Sequence, residues 1–178
     1  MRLKKKVAIV TGAGAGVGEA IAMRFCQEGA RVVVCDISRT RGESVAVAIL
    51  KSGGEVIFVE TDVSSESQVN ALVQAALASF GRIDILVNNA AVLMSYGQIR
   101  AHEMSNEEWN RTIDVNLRGY WLCSKYVIPS MLEKKSGSIL FIASRTGLRG
   151  FPGFAAYSAS KGGVLALMRS MAADYAPD

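Results

Sequence analysis

No stretch of this 178-residue sequence stays apolar for the roughly 18 residues that a membrane-spanning helix needs. No charged-then-apolar leader precedes the first expected strand, so the expected location is the cytoplasm. Cysteines are few: Cys26, Cys35 and Cys123 are scattered, and none forms a C-x-x-C pair. That argues against a zinc site or a disulfide framework and for a reducing compartment. Histidine is nearly absent. His102 stands alone in His-Glu-Met-Ser, without the second histidine of H-E-x-x-H, and no G-x-S-x-G elbow is present. Neither a zinc hydrolase nor a serine hydrolase fits; His102 reads as a surface residue, and no cluster has metal-ligand spacing. Neither sign of charge dominates, with 20 Lys and Arg against 16 Asp and Glu. The basic start, Arg2, Lys4, Lys5 and Lys6, reads as a solvated approach to the first strand, since no basic face continues beyond it. Neither a nucleic-acid nor a membrane partner is expected. Repeats, low-complexity segments and linkers are missing too, which leaves one domain spanning residues 1–178.

What is present is an alternation. Apolar runs at 7–10, 32–35, 56–59, 83–87 and 139–143 have the length and branched-residue content of buried parallel strands. Amphipathic stretches at 17–28, 41–51, 68–80, 107–133 and 157–175 separate or follow them. Gly29, Gly53 and Gly81 sit where helices should stop, and Ser105 followed by Glu108 resembles a capping box. Pro129 is expected to kink or end the fourth helix. Repeated β-α-β order with right-handed crossovers gives an α/β fold, a Rossmann-like doubly wound parallel sheet with helices on both faces.

The first β-α turn reads Thr11-Gly-Ala-Gly-Ala-Gly-Val-Gly18. Small residues let the backbone approach a pyrophosphate, and the amides of a helix N-terminus favour its charge. The spacing G-x-G-x-x-G fails, because Val17 stands where the third glycine would be; G-x-x-x-G-x-G fits through Gly12, Gly16 and Gly18. No lysine follows, so this is not a Walker loop. Asp36 ends the second strand, close to the separation at which an acid accepts hydrogen bonds from an adenosine ribose. An acid there repels a 2′-phosphate, which favours NAD over NADP; Arg39 and Arg41, just beyond, soften the preference. Asp62 and Val63, after the third strand, either grip an adenine edge or form a capping turn before Ser64 and Ser65.

Tyr157 and Lys161 are spaced i, i+4, on one face of a helix. An ammonium near a phenol favours the phenolate, as general acid-base work by tyrosine requires. Ser144, just past the fifth strand, offers a hydroxyl at the carboxyl edge of the sheet. Taken singly, each of these patterns is ordinary packing or solvent-facing chemistry.

Together they resemble the short-chain dehydrogenase/reductase family from residue 7 onward. T-G-x-x-x-G-x-G is present as Thr11 to Gly18, and N-N-A-G as Asn88-Asn89-Ala90 with Ala91 in place of glycine. A helix-borne asparagine appears in Asp114-Val-Asn116, and the serine precedes Tyr157-Ser-Ala-Ser-Lys161 by 13 residues. The resemblance implies that Tyr157 exchanges a proton with a substrate hydroxyl or carbonyl, and that Ser144 orients that oxygen. It implies that Lys161 binds the nicotinamide ribose and that Asn116 holds a water in a proton relay. Thr11, Gly12, Gly16, Val17, Gly18, Asp36, Asp62, Val63, Asn89 and Ala90 would border the cofactor. The substitution at Ala91 is expected to shift the loop beside the nicotinamide.

The expected activity is oxidation or reduction of a secondary alcohol or ketone with NAD. Residues 94–97 and 147–154 are expected at the entrance, made apolar by Leu148, Phe151 and Phe154. Family members assemble as dimers or tetramers, which implies a homodimer or homotetramer for a full-length chain. They also continue beyond the catalytic helix, so the resemblance reads this chain as truncated. The strand at 139–143 would then be an open edge, and Val164, Leu167, Met168 and Met171 would lose their cover. The alternative to a piece of an ordinary enzyme is a dinucleotide-binding module without turnover.

Overall fold

Valine and isoleucine, stiff at Cβ and suited to a pleated surface, fill five short runs that pair side by side. In the computed structural model, which describes residues 1–93 and 99–176, these are β1 (Val7–Thr11), β2 (Arg31–Asp36), β3 (Val56–Glu60), β4 (Ile85–Asn88) and β5 (Ser138–Phe141). All pair in parallel, in the order β3-β2-β1-β4-β5, with Val7 opposite Arg31, Ala8 opposite Ile85 and Ile85 opposite Ser138. Parallel neighbours need crossovers, and helices supply them: α1 (Gly16–Gln27), α2 (Arg39–Lys51), α3 (Glu66–Phe80), α4 (Asn106–Ile113), α5 (Gly119–Glu133) and α6 (Ala155–Tyr175). The expected doubly wound α/β sheet is the fold observed.

Side-chain alternation along the strands feeds two cores. Ala8, Val10, Val32, Val34 and Val87 pack with Ala22 of α1 and Val45 and Ile49 of α2. Ile9, Val33, Cys35 and Leu86 pack on the opposite face with Val69, Leu72 and Val73 of α3 and Leu122 and Val127 of α5. Burial on both faces explains why the central strands read as unbroken apolar runs rather than as alternation. Each such valine or leucine contributes about 1.5–3 kcal/mol relative to exposure.

Several boundaries differ from the sequence reading. β4 begins at Ile85 rather than residue 83, because Asp84 turns its carboxylate back onto the Val7 N–H (2.9 Å). The stretch 107–133 is helical throughout but not uniformly α-helical. A π-helical turn, Asp114–Arg118, separates α4 from α5, and it carries Asn116. Pro129 does not end α5, which runs on to Glu133; its missing N–H costs the helix one bond, the one that would reach the Lys125 carbonyl. Gly29, Gly53 and Gly81 all adopt positive φ (88°, 81° and 73°), and the Ser105 hydroxyl accepts from the Glu108 N–H (3.1 Å), as the stop and start signals implied.

At the β5 edge, Leu140 is 42% exposed, and an apolar cleft of about 490 Å³ runs between α5, β5 and α6 past Met131, Ile139, Phe141, Met168 and Met171. Val164, expected to lose its cover, is fully buried, since α6 packs against α4 and the π-helical turn. No helix among the described residues is long and apolar enough to cross a membrane.

Candidate active site

The strand order reverses between β1 and β4, and in a doubly wound sheet such a point is where a ligand crevice lies, past the strands' carboxyl ends. Thr11, at the end of β1, organises it. Its buried hydroxyl donates to the Val87 carbonyl (3.2 Å) and accepts from the N–H groups of Asn89 (2.9 Å) and Ala90 (3.1 Å). The Asn89 amide donates in turn to the carbonyls of Thr11 (2.9 Å) and Gly12 (3.1 Å). Thr11 and Asn89 therefore pin the loop after β4 onto the glycine turn. Gly12 adopts φ 62°, and a Cβ there would lie 2.8 Å from Ala90 Cα. A Cβ on Gly18 would collide with the Gly12 carbonyl oxygen, so the first turn of α1 sits directly on the loop. Gly16, at φ 58°, faces open space; Ala15 caps α1 without a side-chain bond, and Val17 is exposed. Main-chain donors at Gly16, Val17 and Gly18 thus open a helix onto an uncluttered crevice, a cradle that suits a pyrophosphate. Ala91 does not take positive φ, so its methyl group fits the backbone without strain.

Asp36 is buried, and its carboxylate is already oriented. Oδ2 accepts from the Gly14 N–H (2.9 Å), and Oδ1 accepts from the Ser38 N–H (2.9 Å) and from Arg41 (3.4 Å). A Cβ on Gly14 would fall 2.8 Å from the carboxyl carbon. Only glycine leaves room for this seat, a function of Gly14 that the spacing of the motif does not reveal. Of the two arginines beyond the strand, Arg41 reaches Asp36, whereas Arg39 is bound to Glu60 (2.6 Å) and Glu43 (3.4 Å). Asp62 forms a side-chain turn ahead of α3. Its Oδ1 accepts from the Ser64 N–H (2.9 Å) and hydroxyl (2.6 Å), while Oδ2 takes Arg111 of α4 (3.1 Å). Burial raises its pKa, but the Ser64 and Arg111 bonds outweigh this and hold it below the usual carboxylate range. Val63 points into the core beneath Gly119, where an added Cβ would meet Val63 Cγ2 at 2.8 Å.

The second half of the site lies between β5 and α6. Ser144 caps a 3-10 turn, Arg145–Gly147, and its Oγ accepts from the Thr146 N–H (3.2 Å) and hydroxyl (2.9 Å). That turn packs on α6 at Lys161: a Cβ on Gly147 would stand 2.6 Å from the Lys161 carbonyl carbon. Tyr157, in the first turn of α6, is half-buried, with Phe154 edge-on to it at 6.3 Å and Phe151 edge-on to Phe154 at 6.4 Å. Arg145 and Arg149 both stack over Phe151 (5.0 and 5.2 Å), which sets two guanidinium groups beside the apolar residues expected to line an entrance. Residues 94–97, expected at the same entrance, lie outside the described residues.

Lys161 is 1% exposed, and its Nζ lies 5.8 Å from the centre of the Tyr157 ring. It donates to the Ile142 carbonyl (2.7 Å) and to the hydroxyl of Tyr120 (3.1 Å), a residue that sequence reasoning passed over as one more apolar position of a helix. Burial pulls the lysine pKa down to about 8. Asn116 is fully buried, and its amide is committed to the chain. Oδ1 accepts from the Val92 N–H (2.7 Å), and Nδ2 donates to the Val92 carbonyl (2.9 Å) and to Ser160 (3.3 Å). These contacts tie the loop after β4 to α6, leaving the relay water implied by resemblance little of the side chain to hold. His102 lies apart, exposed beside Glu103 (3.9 Å).

A family model described as short chain dehydrogenase matches residues 6–178. The uncharacterized oxidoreductase YxbG of Bacillus subtilis is 43% identical over 98% of this chain and 63% of its own length. A 3-oxoacyl-[acyl-carrier-protein] reductase of Synechocystis is 41% identical over 98% of this chain and 70% of its own. A 2-(R)-hydroxypropyl-CoM dehydrogenase of Xanthobacter autotrophicus is 42% identical over 96% of this chain and 69% of its own. The chain thus spans about two thirds of the length of these relatives.

Proposed function

The chain belongs to the short-chain dehydrogenase family, and from that premise we propose that it is an NAD-dependent oxidoreductase acting on a secondary alcohol or ketone, with Tyr157 as general acid/base. The observation that carries this reading is the packing of the Ser144 turn onto α6 at Lys161, with Tyr157 one helical turn away. When bound, the nicotinamide cofactor would supply the two-electron chemistry, and the chain's own groups supply position and protons.

Ser144 has one proton to give and two lone pairs to fill. Thr146 donates twice to its oxygen, which leaves the serine proton for a substrate oxygen. Tyr157 Oη gives a proton to that oxygen when a carbonyl is reduced and takes one when an alcohol is oxidised. Lys161 Nζ has two of its three protons committed to Ile142 and Tyr120, and the third is free for a ribose hydroxyl or the phenol side of the site. With three of its four acceptor sites filled, Asp36 keeps one on Oδ2 for a ribose hydroxyl, and its charge disfavours a 2′-phosphate; the contact with Arg41 weakens that discrimination. NAD is therefore proposed over NADP.

Tyr157→Phe tests the reading, because it keeps the ring and deletes the proton-carrying atom. Turnover on a panel of alcohols and ketones should fall at least about a thousandfold, while NAD affinity measured by calorimetry stays within about twofold. Full turnover in that variant would remove Tyr157 from the chemistry. NAD binding by the unmodified chain without turnover on any substrate would favour a binding module instead.

A further inference from the structure

We propose that Tyr120 is a positioning residue of this site, its hydroxyl holding the Lys161 ammonium through a hydrogen bond; this rests on the role given to Lys161 above. Three contacts close a small ring of polar atoms. Lys161 Nζ donates to Tyr120 Oη (3.1 Å) and to the Ile142 carbonyl (2.7 Å), and Tyr120 Oη donates to that same carbonyl (3.3 Å). Because the phenol spends its proton on Ile142, its lone pairs face the ammonium. Nζ also lies 4.9 Å from the centre of the Tyr120 ring, within range of its negative face. Both residues are 1% exposed, so bulk water has no access to replace an acceptor that is lost.

Tyr120 is itself firmly placed. Its main-chain carbonyl accepts from the Ser124 hydroxyl (2.8 Å), which accepts from the Asn88 amide (3.1 Å) at the end of β4, and Phe141 of β5 packs on its ring at 6.2 Å. The hydroxyl is therefore a fixed point between the sheet and α6, and the lysine is the flexible partner. Burial pushes the Tyr120 phenol above the usual tyrosine range, so it meets Lys161 as a neutral dipole. The titratable groups that face Nζ are Tyr120 from α5 and Tyr157 from α6. The strand side offers only the Ile142 carbonyl, and the π-helical turn meets the neighbouring Ser160 with the neutral Asn116. Among the described residues no carboxylate bonds or pairs with Lys161. The charged form of the lysine thus depends on two neutral acceptors, of which Tyr120 is the only side chain.

Tyr120→Phe removes that acceptor and keeps the ring. Loss of one hydrogen bond to a buried cation should lower the Lys161 titration midpoint by about one pH unit below its starting value of about 8. The midpoint is read in the cofactor-free chain by NMR of 13Cε-labelled lysine, with Lys161→Met identifying the signal. Calorimetry then gives NAD affinity at pH 6 and pH 8. The expected result is a loss of several-fold in affinity at pH 8 that largely disappears at pH 6, where Lys161 is protonated in both proteins. A merely structural defect would weaken binding equally at both pH values. Tyr126→Phe, which deletes a hydroxyl bonded to Glu66 on the outside of α5, should leave the midpoint in place.

An unchanged Lys161 midpoint in folded Tyr120→Phe protein overturns the proposal, as does an affinity loss independent of pH. Should Tyr120→Phe fail to fold, 3-fluorotyrosine placed at position 120 keeps the ring and weakens the acceptor; it must lower the same midpoint. A shifted midpoint combined with NAD affinity indifferent to Lys161→Met would separate the cases: the Tyr120–Lys161 coupling would stand, and the cofactor role of Lys161 would fall.

Discussion

A cation buried without a carboxylate partner lowers the stability of the fold that holds it, and Lys161 is such a cation among the described residues. Its pKa of about 8 in the folded chain lies below the roughly 10.4 of an unfolded lysine. The unfolded state therefore binds more protons between those values, and this residue's contribution to stability improves as pH rises from about 8 to about 10.4. Below pH 8 the full penalty is present, on the order of 3 kcal/mol. Lys161→Met removes the charge and keeps much of the volume, and Tyr120 still has the Ile142 carbonyl as acceptor (3.3 Å). The variant should melt roughly 5–10 °C higher at pH 7, and the gain should shrink steadily above pH 8. A melting temperature that does not rise, or a gain flat across that range, would show that the ammonium is not strained. A residue that the fold would be more stable without is what a site kept for chemistry looks like.

At the scale of elements, the parts legible in the sequence are those whose cause is local. The valine-rich strands, the stop glycines, the Ser105 cap and the turn from Thr11 to Gly18 each declare themselves within a few residues. Tyr157 and Lys161 were legible for the same reason, since helical spacing alone puts them on one face. What stayed hidden depends on partners far away in the chain. The π-helical turn at Asp114–Arg118 places Asn116 against Val92, and Tyr120 owes its polar role to Lys161.

By pattern Asp84 sits inside an apolar run, yet it staples three strands. Its buried carboxylate accepts from the Val7 N–H (2.9 Å), its N–H donates to the Val7 carbonyl (2.9 Å), and its carbonyl accepts from Ser138 (2.9 Å). Burial raises the Asp84 pKa, but the Arg82 guanidinium and the Val7 N–H outweigh this and hold it below the usual value. Its stabilisation is thus present above about pH 4 and is lost as pH falls through the lower folded value. Asp84→Ala should cost about 3 kcal/mol at neutral pH, read from urea unfolding with m unchanged. It should cost less at pH 3, where the stabilisation has begun to be lost. An equal loss at both pH values would assign the effect to packing rather than charge.

At the scale of the whole molecule, the crevice between β1 and β4 is walled by parts far apart in the chain: the glycine turn near its start, the loop after β4 at its middle and α6 beyond residue 154. A ligand spanning it would touch only the folded state, so its binding free energy adds to stability. With NAD at about a hundred times its dissociation constant, the gain is about 2.7 kcal/mol, or roughly 5–10 °C in melting temperature for a chain of this size. NADP at the same concentration should shift it distinctly less if, as proposed, the Asp36 carboxylate takes the ribose 2′ side, since Arg41 offsets only part of its charge. Scanning calorimetry with each dinucleotide decides the matter. Equal shifts would mean that Arg41 takes over the 2′-phosphate when it is present, moving the discrimination from Asp36 to α2. No shift from either, in a chain that unfolds cooperatively, would mean that the glycine turn serves strand-helix packing alone and that the proposed cofactor site does not bind.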